Sequence, residues 1–317
     1  MSGITGIHHI TAIAGDAQEN LDFYVGVLGM RLVKRSVNQD APGTYHLFYA
    51  DADGHPGADI TFFPWPGMEP IRKGTGLGAE IGLAVPTGTL DWWARRLSDA
   101  GVLIGARETR RGEGVLPFTD PHGLELALAE TSDPREFTAW DRSPVPEDHQ
   151  VIGLHSVRLV ERELAPTAAF LTGVLGFHAM GEENGWHRFG LGAGGSGRHV
   201  EVQERPAERR GQWGVGAMHH VAWRVPDDET EVAVQEQLLA ANGRPTGVID
   251  RFWFKSVYFK EPGGVLFEIA TDGPGFSVDE YPGTLGEKLV LPPWLEADRP
   301  SIRAGLPSLR MPALRGA

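Results

Sequence analysis

Phe23-Tyr24-Val25-Gly26-Val27-Leu28-Gly29-Met30 returns as Phe170-Leu171-Thr172-Gly173-Val174-Leu175-Gly176-Phe177, at an offset of 147 residues and without a gap. Each copy reads as the end of an amphipathic helix, and the glycine before the last apolar residue suits a left-handed C-cap. A strand-like segment precedes each copy, Ile7-His8-His9-Ile10-Thr11 in the first and Leu154-His155-Ser156-Val157-Arg158 in the second. An internal repeat of this length outweighs any local propensity in deciding the fold.

Outward from the repeat, a second kind of unit follows each copy. Residues 79–86 lead into a helix-like Thr89–Leu97 that stops at Ala100-Gly101, and 218–226 lead into a helix from about Asp228 to Ala241 that stops at Asn242-Gly243. Both units then turn, through Asp120-Pro121-His122-Gly123 and Glu261-Pro262-Gly263-Gly264, into a final apolar strand. The chain therefore reads as four strand–helix–strand–strand–strand modules near 5–65, 78–130, 151–204 and 216–272. The expected domains are an N-terminal half (1–135, modules one and two), a C-terminal half (150–275, modules three and four) and an extended, Pro-rich tail (276–317). Residues 130–150 form the linker between the halves.

Two His-His pairs occupy first strands, His8-His9 and His219-His220, each followed by a β-branched residue, Ile10 or Val221. Side chains alternate along a strand, so only one histidine of each pair can face a given site. The offset places Ser156 opposite His9, and counting back from the shared Val-Pro places Glu80 opposite His220. Only modules one and four carry the double histidine. Glu268 lies inside the apolar run Val265-Leu266-Phe267-Glu268-Ile269-Ala270, where a carboxylate is costly unless paired or bound to a cation. Its counterpart in module two is Ala127. Two imidazoles and one carboxylate on three strands make a facial triad, which suits non-haem iron(II) and leaves coordination positions open. Manganese(II) or another divalent ion satisfies the same ligand types. A single strand histidine is ordinarily a hydrogen-bonded structural residue; two equivalent pairs and an unexplained carboxylate shift that balance.

Other patterns carry less. Asp51-Ala52-Asp53-Gly54 opens like a calcium loop, but Phe62 stands where the bidentate Glu belongs, so the segment reads as a turn. Gly192–Gly197 lacks the Lys-Ser/Thr of a phosphate loop and reads as a hairpin connection. No Gly-x-Ser-x-Gly elbow is present. His46, His122, His149, His178, His187 and His199 show no partner spacing, and most of them read as surface or turn residues.

Composition narrows the field. The 317 residues include no cysteine, which excludes disulfides, thiolate metal sites, iron–sulfur clusters and thiol nucleophiles. The formal charge of −13 repels phosphate backbones and anionic lipid, so neither nucleic acid nor a membrane surface is an expected partner. The chain opens without a basic-then-apolar signal and has no run of bilayer length, so a cytoplasmic protein is expected.

These segments resemble the vicinal oxygen chelate superfamily of glyoxalases, bleomycin-resistance proteins and extradiol dioxygenases. The likeness is nearest to hydroquinone ring-cleaving dioxygenases of the 2,6-dichlorohydroquinone 1,2-dioxygenase group. It rests on His8-His9-Ile10-Thr11, Leu21-Asp22-Phe23-Tyr24, Gly216-Ala217-Met218-His219-His220 and Pro262–Glu268. It implies an α+β fold of four βαβββ modules paired into two curved, half-open β-barrels, with the metal between the first and last modules. It also implies iron(II) held by His9, His220 and Glu268, with His8, Thr11, His219, Arg251 and Tyr258 around it. Catechol-cleaving relatives draw their ligands from the third and fourth modules, an arrangement that Ser156 argues against. The expected reaction is cleavage of a small aromatic diphenol by dioxygen, Tyr258 and Arg251 positioning the substrate and His8 or His219 acting as acid or base. Arg251 and Tyr258 also read as an ordinary strand pair, cation over ring. A glyoxalase-like lyase or isomerase would need a fourth ligand near Thr61 or Phe62, and a bleomycin-resistance-type binding protein would lack the triad. Leu291-Pro292-Pro293-Trp294 suits either a lid or a contact between copies in a homo-oligomer.

Overall fold

The computed structural model describes residues 3–314; the outermost residues of the expected first half (1 and 2) and of the tail (315–317) lie outside the described residues. Module one runs β1 (Gly6–Ala14), α1 (Ala17–Leu21), β2 (Arg31–Val37), β3 (Tyr45–Ala50) and β4 (Asp59–Pro64). Module two runs β5 (Leu77–Pro86), α2 (Leu90–Asp99), β6 (Leu103–Ile104), β7 (Glu108–Arg110), β8 (Glu113–Thr119) and β9 (Glu125–Thr131). Module three runs β10 (Gly153–Glu161), α3 (Leu164–Gly173), β11 (His178–Glu183), β12 (Trp186–Gly190) and β13 (His199–Glu204). Module four runs β14 (Met218–Val225), α4 (Asp228–Ala240), β15 (Ile249–Asp250), β16 (Lys255–Lys260) and β17 (Leu266–Thr271).

The fold is α+β, with the four expected modules. Two mixed sheets result, ordered β15-β16-β17-β14-β1-β4-β3-β2 and β11-β12-β13-β10-β5-β9-β8-β6, with β7 added on β8. Each sheet joins two modules through their first strands, antiparallel β1 to β14 and β5 to β10. Module one thus pairs with module four, and module two with module three, so each sheet takes one module from either half of the sequence. The apolar faces bury Trp93, Trp223, Tyr24, Tyr49 and Phe267 almost completely.

The eight-residue echo is an echo of hydrogen bonds. Leu28 N–H donates to the Phe23 carbonyl and Met30 N–H to that of Tyr24; Leu175 and Phe177 repeat this with Phe170 and Leu171. In the first copy these long bonds widen residues Asp22–Val27 into a π-helix instead of the expected α-helix end. Gly29 (φ +72) and Gly176 (φ +76) both take the left-handed conformation, and a Cβ on Gly29 would lie 2.5 Å from Val145 Cγ2. Asp16 and Asp227 cap α1 and α4 by accepting backbone N–H bonds.

The Asp51 turn forms as read, its carboxylate accepting from Gly54 N and His55 N. The linker at residues 130–150 is a packed strap, with Trp140, Ser143, Val145 and Gln150 buried. The tail beyond residue 275 is not simply extended: it contains 3₁₀ turns at Phe276–Val278, Pro282–Thr284 and Pro293–Asp298 and the helix α5 (Arg299–Gly305). Prolines at the first helical positions start three of these four, because a fixed φ and a missing N–H cost nothing there. Among the described residues no helix is long and apolar enough to cross a membrane.

Candidate metal centre

The first histidine of each pair is a β-bulge. Ile7 pairs with Trp223 and His9 with Ala222, leaving His8 as the extra residue on β1. Thr11 pairs with His220 and Ala12 with Met218, leaving His219 extra on β14. The other sheet repeats the device at His155 and Ala79. A bulge suspends alternation locally, so adjacent histidines meet instead of facing apart. His8 Nδ1 is 2.9 Å from His9 Nδ1, and His219 Nδ1 is 2.8 Å from His220 Nδ1.

The second histidines and Glu268 converge. His9 Nε2 is 3.2 Å from His220 Nε2, and Glu268 Oε2 is 2.9 Å from His220 Nε2 and 3.4 Å from His9 Nε2. All three residues are buried. The register that places Glu268 beside Ala222 gives Ala127 beside Gly82 in the other sheet. There, the positions of His9 and His220 hold Ser156 and Glu80, and Glu80 is consumed by an ion pair with Arg110. One sheet therefore carries a convergent set and its counterpart a salt bridge. Among the described residues this is the sole cluster of three such ligand atoms within mutual reach.

Proton positions follow from the partners. Burial first, then the neighbouring His9, depress His8 to about 3, so it is neutral at pH 7. Its Nε2–H donates to the Thr271 carbonyl at 3.1 Å, so its Nδ1 accepts from His9 Nδ1–H. That leaves His9 Nε2 with a lone pair directed at the cluster. His219 is likewise depressed to about 3, by burial and then by His220. Ser256 Oγ–H donates to Glu268 Oε1, whereas Oε2, fully buried, finds no hydrogen-bond partner among the described residues. An orphaned carboxylate oxygen and a bare imidazole lone pair packed together are relieved by a cation. The mutual distances match one face of an octahedron, whose adjacent ligands stand roughly 3 Å apart when metal bonds are about 2.1 Å. The residues fit a divalent metal.

Outer partners of such a set fix ring orientation and basicity. Replacing His8 by Leu removes the acceptor for His9 Nδ1–H, and divalent-metal affinity should fall about 10–100-fold by anaerobic equilibrium dialysis. Unchanged affinity would show that the His8 contact does not organise His9.

A cavity opens on the cluster, lined by His9, His220, His46, Phe48, Phe63, Trp253, Phe254 and Tyr258, with Asn38, Gln39, Asp40 and Arg251 as its polar wall. Phe254 packs on both His8 and His9 at 5.3 Å. Of the residues singled out in the sequence, Arg251 and Tyr258 line this cavity; His8, His219 and Thr11 stand behind it. Arg251 does lie over the Tyr258 ring, at 5.3 Å, and also grips Asp40 through two bonds of 2.9 and 3.3 Å. Tyr258 pairs with Glu268 across β16 and β17, and burial followed by that carboxylate raises its hydroxyl pKa, so it stays protonated. Thr11 Oγ1 meets Thr61 Oγ1 at 2.7 Å. Leu291–Trp294 takes no part in the cavity wall; Leu291 is buried against Val37 and Ile302, and Trp294 meets Phe252 edge-on.

His46 is an exception among the histidines expected mostly at the surface or in turns. It is no surface histidine: its ring packs on Phe48 at 3.9 Å and Phe63 at 4.4 Å and forms part of the cavity wall. His199 is also buried. The available signal for His46 was its two-residue spacing from Phe48 on β3, hidden because that strand is apolar on both faces.

Residues 6–128 and 153–269 match the Glyoxalase/Bleomycin resistance protein/Dioxygenase superfamily, and the chain belongs to it. It is 42% identical over 301 residues to “Putative ring-cleaving dioxygenase MhqO” of Bacillus subtilis (strain 168), covering 95% of each chain. It is 31% identical over 308 residues to the chlorohydroquinone/hydroquinone 1,2-dioxygenase of Sphingobium indicum, covering 92% of this chain and 93% of that protein. A crystal structure of a “putative dioxygenase” from Bacillus subtilis superposes with a TM-score of 0.92 at 40% identity, over 98% of this chain and 99% of that one.

Proposed function

We propose that this protein is a ring-cleaving dioxygenase that opens a hydroquinone-type or related diphenol with dioxygen, using iron(II) held by His9, His220 and Glu268. The observation that carries this reading is the meeting of three buried ligand atoms at the base of an aromatic-walled cavity. The names of the relatives support the reaction class and the hydroquinone substrate.

When bound, ferrous iron supplies electrons to dioxygen and Lewis acidity to a phenolic oxygen. The chain supplies the rest. Phe48, Phe63, Trp253 and Phe254 give the diphenol ring an apolar slot that excludes water. Arg251, steadied by Asp40, places a fixed positive charge where the substrate becomes phenolate. Tyr258 keeps its proton and can donate it to a substrate oxygen. His8 and His219, neutral and tied to the ligand rings, hold those rings in place and are the candidates for moving a proton. A glyoxalase-like lyase is disfavoured at the position where its fourth ligand would stand: the Thr61 hydroxyl is already bonded to Thr11 and His46, and Phe62 is in the core.

Anaerobic loading with iron(II), followed by oxygen-electrode measurement with hydroquinone and catechol, tests the reading. One dioxygen per ring opened is expected, uptake being abolished by a chelator and restored by iron(II). No uptake with any diphenol would defeat the proposal, and uptake with catechol alone would defeat its substrate assignment.

A further inference from the structure

We infer that His46 is a substrate-contacting residue, which hydrogen-bonds the diphenol hydroxyl that is not at the metal and so selects rings bearing two oxygens. The inference rests on the ring-cleavage reading above and deepens it.

His46 lines the same cavity as His9 and His220 but belongs to β3, across the sheet from β14. Its plane is fixed on both sides by Phe48 and Phe63. Its Nε2 is anchored at 2.8 Å to Thr61 Oγ1, which is itself 2.7 Å from Thr11 Oγ1. Nδ1 meets no hydrogen-bond partner among the described residues, although the ring sits in the cavity wall. A polar atom held at a fixed angle and left unpaired inside an apolar slot rewards a ligand that brings a matching group and penalises one that does not.

The other walls do not duplicate this contact. Phe48, Phe63, Trp253 and Phe254 present rings, Asn38 and Gln39 spend Oδ1 and Nε2 on backbone groups, and Arg251 and Tyr258 serve the oxygen at the metal. The Thr11–Thr61 pair can run in either direction, so His46 can present Nδ1 as acceptor or, with its proton shifted, as donor. A hydroxyl answers both. A monophenol leaves the position without the second oxygen.

The test uses iron(II)-loaded protein under anaerobic conditions and measures dissociation constants for hydroquinone and for phenol. Wild type should prefer hydroquinone by about tenfold, the value of one well-made hydrogen bond in a closed site. His46→Phe should abolish that preference while leaving phenol affinity and bound iron unchanged. His46→Gln, which keeps a donor and an acceptor, should retain most of it. Stoichiometric iron in each variant reports that the fold and metal site are intact. A His46→Phe protein that keeps the wild-type preference would overturn the assignment while leaving ring cleavage standing. Wild type that takes up oxygen with no diphenol would overturn both. If His46→Phe does not fold, loss of preference in His46→Leu with intact iron supports the assignment, and an unchanged preference refutes it.

Discussion

Glu268→Gln should lose oxygen uptake by about 10³-fold or more, because the several kcal/mol of charge stabilisation that a bound metal contributes depends on the one anionic ligand. Stability should not follow activity down. Ser256 can still donate to the amide oxygen of Gln, and the amide N–H group can donate to His9 Nε2, which in the parent protein directs a lone pair at a carboxylate. The substitution thus satisfies atoms that the wild-type chain leaves in opposition, as at Oε2. Equal or higher thermal stability together with lost uptake at saturating iron(II) is the expected pattern, read by melting curves and an oxygen electrode. A variant with near-normal turnover would show that Glu268 is not required at the metal.

The second large effect falls on stability. Lys34 on β2 is fully buried and donates to the Phe276 carbonyl at 2.9 Å, to Asp279 Oδ1 at 2.8 Å and to Glu280 Oε2 at 2.5 Å. Its ammonium also lies 5.2 Å from the centre of the Trp253 ring, and Trp253 Nε1–H donates to the same Asp279 oxygen. The tail is thereby tied to a wall of the cavity. Lys34→Met keeps the length of the side chain but leaves two mostly buried carboxylates without a cation, and removing one partner of a buried pair costs about 3–5 kcal/mol. Burial already outweighs Lys34 in raising the Glu280 pKa. Without the lysine the folded-state pKa of Glu280 rises further above its unfolded value, so the penalty should be full near pH 8 and shrink as pH falls and that carboxyl takes up a proton. Denaturant titrations at pH 8 and pH 5 measure this. A loss below about 1 kcal/mol at pH 8 would contradict the latch.

The sequence exposed the scaffold wherever one residue's chemistry has a single structural use. Gly29 and Gly176 mark the same left-handed stop, and the shared phase of His9 and His220 before Ile10 and Val221 puts both on one face. Glu268 could be singled out because an apolar strand tolerates a carboxylate only for a reason. What stayed hidden depends on relations between strands. The bulges that bring His8 onto His9 and His219 onto His220 exist only in the β1–β14 register, and a single strand reads as regular pleat. The partner of Arg251 is Asp40, 211 residues away on a loop whose position no local pattern announces. His46 vanished into a strand whose neighbours on both faces are buried. The prolines of the tail suggest an extended chain, but proline begins a helical turn as readily as it ends one.

The most direct test of the central claim is a crystal of the anaerobically iron(II)-loaded protein measured at the iron absorption edge. One anomalous peak per chain is expected, at bonding distance from His9 Nε2, His220 Nε2 and Glu268 Oε2. A peak bonded to other residues, or no peak in protein that takes up oxygen with hydroquinone, would contradict that claim.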